Sequence, residues 1–75
     1  MSWEYRVVRR EVKKNEHILE IKEIYYDEDD NIYGYGDAPV PYGETKEDIR
    51  ECLELMRRAL NKPIIEYRPV KETKN

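Results

Sequence analysis

The sequence predicts an α+β domain: a three-stranded antiparallel meander with one amphipathic helix packed on one face, and room for a short fourth strand after the helix. Three features predict it. Ile49, Cys52, Leu53, Met56, Ala59 and Leu60 recur at steps of three and four within residues 45–60, which makes one apolar stripe on an otherwise charged helix. Upstream, residues 3–12 and 17–26 alternate with the period of two expected of half-buried strands, around a polar turn at 13–16. Between strands and helix, Pro39 and Pro41 remove two backbone donors, so 37–43 reads as a connector. The helix has to bury its stripe against something, and the strands are the partner at hand.

The hairpin has a preferred register. When the numbers of paired residues sum to 28, Trp3 meets Tyr25, Tyr5 meets Glu23, Val7 meets Ile21 and Arg9 meets Leu19, so one face collects nearly all the bulk. The opposite face then holds Glu4, Arg6, Val8, Glu20, Lys22 and Ile24, read as a mostly solvated set with opposite charges near one another. A second turn at 27–31 leads into a short strand at 32–35, limited by Gly34 and Gly36. Thr45 suits the helix N-cap, and Asp48 three residues on approximates the reciprocal cap in which a carboxylate reaches back, with Glu47 and Asp48 also favoured by the helix dipole. At the other end Arg57 and Arg58 suit the dipole, Asn61 suits a left-handed stop, and Pro63 forbids continuation. Ile64, Ile65 and Tyr67 are candidates for the fourth strand. A single domain is expected over 1–68, with a disordered tail at 69–75.

Three stretches carry a resemblance. The tryptophan-led strand Trp3-Glu4-Tyr5-Arg6-Val7-Val8-Arg9-Arg10 is followed by a strand ending Glu23-Ile24-Tyr25-Tyr26-Asp27 and a helix closing Ala59-Leu60-Asn61-Lys62-Pro63-Ile64-Ile65. This pattern, over residues 3–65, is similar to a family of small, functionally uncharacterised bacterial and phage-associated proteins. The resemblance implies no activity and carries over no functional residue. The chain departs from such hairpins in its acidic turn, where Asp30-Asn31 stands in place of glycine; both residue types tolerate the left-handed region.

Composition narrows the function classes. The 75 residues are 39% hydrophobic and 41% charged, near the size at which one core supplies only about 3–5 kcal/mol, so a dimer would help. Seven tyrosines and one tryptophan supply the large side chains. The net charge of −3 sets up no global field towards nucleic acid or an anionic membrane. The single cysteine, on the apolar stripe, fits a reducing compartment, and neither a signal-peptide pattern nor a run of about 18 apolar residues is present, so a soluble cytoplasmic protein is expected.

The candidate sites are each weighed against a plainer role. Glu23 falls between Ile21 and Tyr25 on the predicted core face, beside Tyr5. Unpaired burial would cost several kcal/mol, so a carboxylate bonded to Tyr5, Arg9 or another tyrosine is preferred to a catalytic acid. His17 and Cys52 are too few for a structural zinc site and lack a third group for nucleophilic catalysis. Asp27, Asp29 and Asn31 have the spacing of a calcium loop, but Ile32 and Ala38 stand where its glycine and bidentate glutamate belong, which favours a solvated turn. Arg6, Arg10, Lys13 and Lys14 form a basic stretch near tyrosines, diluted by Glu4, Glu11 and Glu20. Tyr33, Tyr35, Tyr42 and Tyr67 exceed what one short helix covers, and a tyrosine-rich surface is typical of interfaces. The expectation is a non-enzymatic protein-interaction or regulatory module without cofactor or metal, its partner another protein or a second copy. Nucleic-acid binding through the basic stretch stands second, and a small-ligand enzyme or binder at Tyr5 and Glu23 third.

Overall fold

The hairpin dominates the architecture. A computed structural model describes residues 2–37 and 39–68; the predicted tail at 69–75 and the calcium-loop position Ala38 lie outside them. Strands β1 (Ser2–Lys13) and β2 (Glu16–Tyr26) pair antiparallel with Trp3 opposite Tyr25, Tyr5 opposite Glu23, Val7 opposite Ile21 and Arg9 opposite Leu19, which is the predicted register. The strands close at a turn in which Asn15 takes φ 66°, and the register shifts between Glu11 and Lys13, next to that turn. Strand β3 (Ile32–Tyr35) adds antiparallel to β2, and β4 (Ile65–Glu66) adds parallel to β1, giving the order β3-β2-β1-β4. The fold is therefore α+β, with a meander completed by a short fourth strand.

The turn between β2 and β3 closes on its own polar groups. The Asp27 carboxylate accepts from the backbone N–H groups of Asp29 and Asn31, and Asp30 occupies the left-handed region at φ 62°, so aspartate does the work glycine does elsewhere. Gly36 fits its place for a different reason. A Cβ there would stand 3.0 Å from both Glu23 Cβ and the Tyr25 hydroxyl, where its N–H donates to the Glu23 carbonyl.

Helix α1 (Lys46–Arg58) starts as predicted. The Thr45 hydroxyl accepts from Asp48 N–H, while the Asp48 carboxylate accepts from the N–H groups of Thr45 and Glu44. Its end differs from expectation. Asn61 does not adopt a left-handed conformation; the helix tightens into a 3-10 turn, Ala59–Asn61, and the chain leaves it through Lys62 in an extended conformation, ahead of Pro63.

Two further corrections concern what is buried. Leu53 and Leu60, assigned to the core stripe, are 50% and 69% exposed; Met56 and Ala59 are buried on Tyr5 and Val7, with Cys52 and Ile21 partly buried beside them. The helix makes its closest approach along one row of side chains, so the residues at the margins of the predicted stripe overhang the sheet. The opposite sheet face, read as mostly solvated, instead contains the two most completely buried large side chains, Val8 and Ile24. Ile65 is paired with Val8 in the sheet, Tyr35 is paired with Ile24, and the ring of Tyr67 packs on that of Tyr35 at 4.9 Å between centroids. The chain after the helix thus extends the sheet at the β1 edge and brings the Tyr67 ring to Tyr35 on the face that carries Val8 and Ile24. Met56→Ala should cost about 2–4 kcal/mol in urea denaturation and Leu53→Ala less than about 1 kcal/mol. Equal losses would show that the helix is rotated from this placement.

Candidate functional site

The predicted polar pair is brought together across the strands but not bonded. Tyr5 and Glu23 are register partners, yet the Glu23 carboxylate accepts from the Tyr25 hydroxyl at 2.5 Å, two residues along its own strand face, and the Tyr5 hydroxyl lies 3.7 Å from Cys52 Sγ. Burial, then the contact with Cys52, pushes the Tyr5 phenol up to about 12, so it remains a hydroxyl near neutral pH. The Glu23 carboxylate and the Tyr25 hydroxyl bonded to it lie beside Gly36, at the β2–β3 margin.

The strongest electrostatic site is one that sequence reasoning placed among solvated charges. Glu4 accepts from Tyr26 Oη at 2.6 Å, from Arg6 Nη1 at 3.2 Å and from Lys62 Nζ. Arg6 in turn donates from Nη2 to the Pro63 carbonyl at 2.6 Å, with only 14% of its side chain exposed. Partial burial pushes the Glu4 carboxyl up, but the hydrogen bonds from Lys62, Tyr26 and Arg6 outweigh it and bring the group down to about 2. This cluster clamps the chain leaving the helix to the start of β1. Its local signal, a Glu-x-Arg pair on one strand face, is common to solvated strands, so the pattern alone does not reveal it.

The same contacts reshape the basic stretch. Arg6 is held by Glu4 and Pro63, and Arg10 donates from Nε to Glu20 at 2.7 Å, leaving Lys13 and Lys14 at the exposed hairpin turn as the outward part of the predicted patch. His17 sits opposite Glu11 near that turn, whereas Cys52 faces Tyr5 under the helix, so the two are in different parts of the fold.

The four candidate interaction tyrosines do not converge. Tyr33 packs its ring near Tyr25, Tyr35 and Tyr67 stack on the face that buries Ile24, and Tyr42 stands on the connector beside the helix N-terminus, 80% exposed. What does converge is a groove between β1 and the helix. One part, of about 350 Å³, is lined by Trp3, Tyr5, Leu55, Arg58 and Lys62; the adjoining part, of about 630 Å³, shares Tyr5 and Leu55 and continues to Tyr42, Glu44 and Cys52. Trp3 and Leu55 are 51% and 45% exposed along it, and the Trp3 and Tyr5 rings meet edge to face at 5.1 Å. Leu55 is the one residue whose signal was available earlier: it is an apolar side chain outside the stripe, on the charged side of the helix.

The Glu4 cluster predicts a pH effect of definite sign. Because the folded carboxyl titrates near 2 and its ordinary value is 4.5, the cluster's contribution is complete above about 4.5 and is lost as pH falls towards 2. Glu4→Gln should cost on the order of 1–2 kcal/mol at pH 7, discounted for the exposure of Lys62, and should flatten the acid side of the stability curve. Parallel curves for both proteins between pH 5 and 2, followed by chemical denaturation, would rule out the clamp. Compared with known proteins, the chain matches no family model, no curated protein and no solved structure.

Proposed function

We propose that the chain is a small non-enzymatic interaction module that takes an apolar stretch of a protein partner into the groove between Trp3 and Tyr42. The observation that carries this reading is the joint exposure of Trp3, Leu55 and Tyr42 around a shared floor at Tyr5. Rigid aromatic rings bury large areas at small entropic cost, and exposed ones gathered in one depression are the usual anchors of a protein interface. The two ends of the rim differ in charge: at the Trp3 end Glu4 is paired with Lys62 and Arg58 adds a further cation, while Glu44 and Asp48 stand at the Tyr42 end. A matching segment therefore has an apolar or aromatic centre, an acidic residue towards Arg58 and a basic residue towards Glu44. Nucleic-acid binding has less support, since Arg6 and Arg10 already serve carboxylates.

Trp3 is the only tryptophan and stands in the groove, so its fluorescence reports occupancy directly. Peptides selected from a random library should carry the pattern just described and shift Trp3 emission to the blue. Tyr42→Ala and Leu55→Ala should each weaken them about tenfold or more, and raising salt from 50 to 200 mM should change affinity far less than the factor of about a thousand typical of a phosphate-driven complex. Selected peptides that bind both variants as well as the native chain, or a steep salt dependence shared with single-stranded nucleic acid, would overturn the reading.

A further inference from the structure

The hairpin outruns the strands beside it. Strand β3 pairs with β2 only at Ile24, Tyr25 and Tyr26, and its last backbone bond is from Gly36 N–H to the Glu23 carbonyl. Residues 16–22 of β2 therefore have β1 on one side and, among the described residues, no backbone partner on the other. The phase of the open edge follows from two separate bonds. The Glu23 carbonyl points towards β3, so Glu23 belongs to a pair that does not exchange hydrogen bonds with β1. On the other side of the hairpin the Arg9 carbonyl accepts from Tyr67 N–H, so Arg9 likewise points away from its partner Leu19. Both give the same answer: the N–H and C=O groups of His17, Leu19 and Ile21 face outward along the open edge.

Such an edge is a template for another strand, and proteins guard it with prolines, bulges or charged side chains. Residues 16–22 contain no proline, the register irregularity of β2 on its β1 side lies beyond Glu11 towards the turn, and the charges present, Glu16, Glu20 and Lys22, are of both signs and so do not repel every antiparallel copy. Side chains on the edge are apolar in places where solvent gives no reason for it: Ile18 is 39% and Leu19 57% exposed.

We propose that this edge is the dimer interface of the protein, filled by β2 of a second copy in antiparallel register about a two-fold axis at Leu19. The proposal builds on the reading of the chain as a binding module but uses a surface separate from the Trp3–Tyr42 groove. The sequence is self-complementary in this register. Glu16 of one copy faces Lys22 of the other at both ends, where Lys22 also reaches Glu20 and the Gly36 carbonyl of its own chain; His17 faces Ile21, Ile18 faces Glu20, and Leu19 meets Leu19 on the axis. His17, Leu19 and Ile21 of each copy then exchange hydrogen bonds with those of the other. The neighbouring registers of the same phase are both penalised. A shift one way sets Glu16 opposite Glu20, and a shift the other way sets Glu20 opposite Glu20 and drives His17 into the position Gly36 occupies. The axis at Leu19 is also the one that uses the whole open edge, since 19 is the midpoint of 16–22. The result is a continuous eight-stranded sheet with both helices on the same face, which relieves the smallness of each separate core.

Sedimentation equilibrium of the native chain should give twice the monomer mass, dissociating on dilution. Glu16→Lys, at an exposed position, places like charges at both ends and should raise the dissociation constant at least tenfold, and Leu19→Lys should do so more strongly; circular dichroism checks that each monomer stays folded. In a Cys52→Ser background, Leu19→Cys should form a disulfide-linked dimer under mild oxidation while Val12→Cys does not, because only a residue on the axis meets itself. Tyr42→Ala should leave the dimer intact, which separates this interface from the groove. A native chain that remains monomeric at about 1 mM, or cross-linking equally fast at Leu19 and Val12, would overturn the proposal; a dimer lost with Tyr42→Ala but not with Glu16→Lys would do the same and move the interface to the groove.

Discussion

The register of the first hairpin is the constraint on which the other contacts depend. It sets Trp3, Tyr5 and Val7 on the face the helix crosses, and Glu4, Arg6 and Val8 on the opposite face. Because side chains alternate, a slip of one residue in β1 would exchange its two sets, driving Glu4 and Arg6 against Met56 and taking Tyr5 and Val7 out of the core under the helix. The slip is resisted at both ends. Asn15 accepts the left-handed conformation that closes the turn, and at the open end the Tyr26 hydroxyl reaches Glu4 in the neighbouring strand.

With the register set, both faces of the hairpin bury apolar side chains. Tyr5, Val7, Met56 and Ala59 form a modest cluster under the helix, while Val8 and Ile24 are buried on the opposite face. The link to the chain that leaves the helix is polar. Lys62 and the Pro63 carbonyl are tied to Glu4 and Arg6, so the segment leading into β4 is held at its start by charge-assisted hydrogen bonds. The cost of desolvating Glu4 is offset by its three partners, and the carboxyl stays ionised well below its ordinary range, whereas Arg6 is offset only in part, since its buried Nε has no partner among the described residues.

Local patterns made much of this legible in advance. The period of two in β1 and β2 and the distribution of bulk were enough to fix the pairing, and the Thr45–Asp48 box was readable because both members lie within one turn. The burial of Val8 and Ile24 was not readable, because their neighbours Ile65 and Tyr35, and the Tyr67 ring that meets Tyr35, come from other strands and the segment following the last, and nothing local in any of them signals the others. The helix shows a subtler limit. Periodicity identifies which residues share a side of the helix, but how many of them are covered depends on how the helix sits on the sheet. Here Met56 and Ala59 reach it while Leu53 and Leu60 overhang. Glu23 is bonded to a tyrosine, as expected, but the partner differs for a similar reason: strand pairing brought Tyr5 opposite, and the hydroxyl that reaches the carboxylate belongs to Tyr25, a neighbour on the same strand face.

The groove and the open edge share one origin. Strands of 12 and 11 residues are flanked by strands of only two and four, and the helix contacts the sheet along one narrow row. A short helix over a long hairpin leaves aromatic and apolar side chains at both ends of its path: Trp3 and Leu55 on one side, and Leu19 far along β2. A larger domain would meet this imbalance with another helix or longer outer strands. In a chain of this size, the surface it leaves is available for binding, and backbone groups along 16–22 restrict what can bind there to an extended strand. The requirement that such a strand match seven residues, avoid glutamate opposite glutamate and stop short of Gly36 is met by the same seven residues in reverse direction, which is why self-pairing follows from the edge more directly than capture of an unrelated segment.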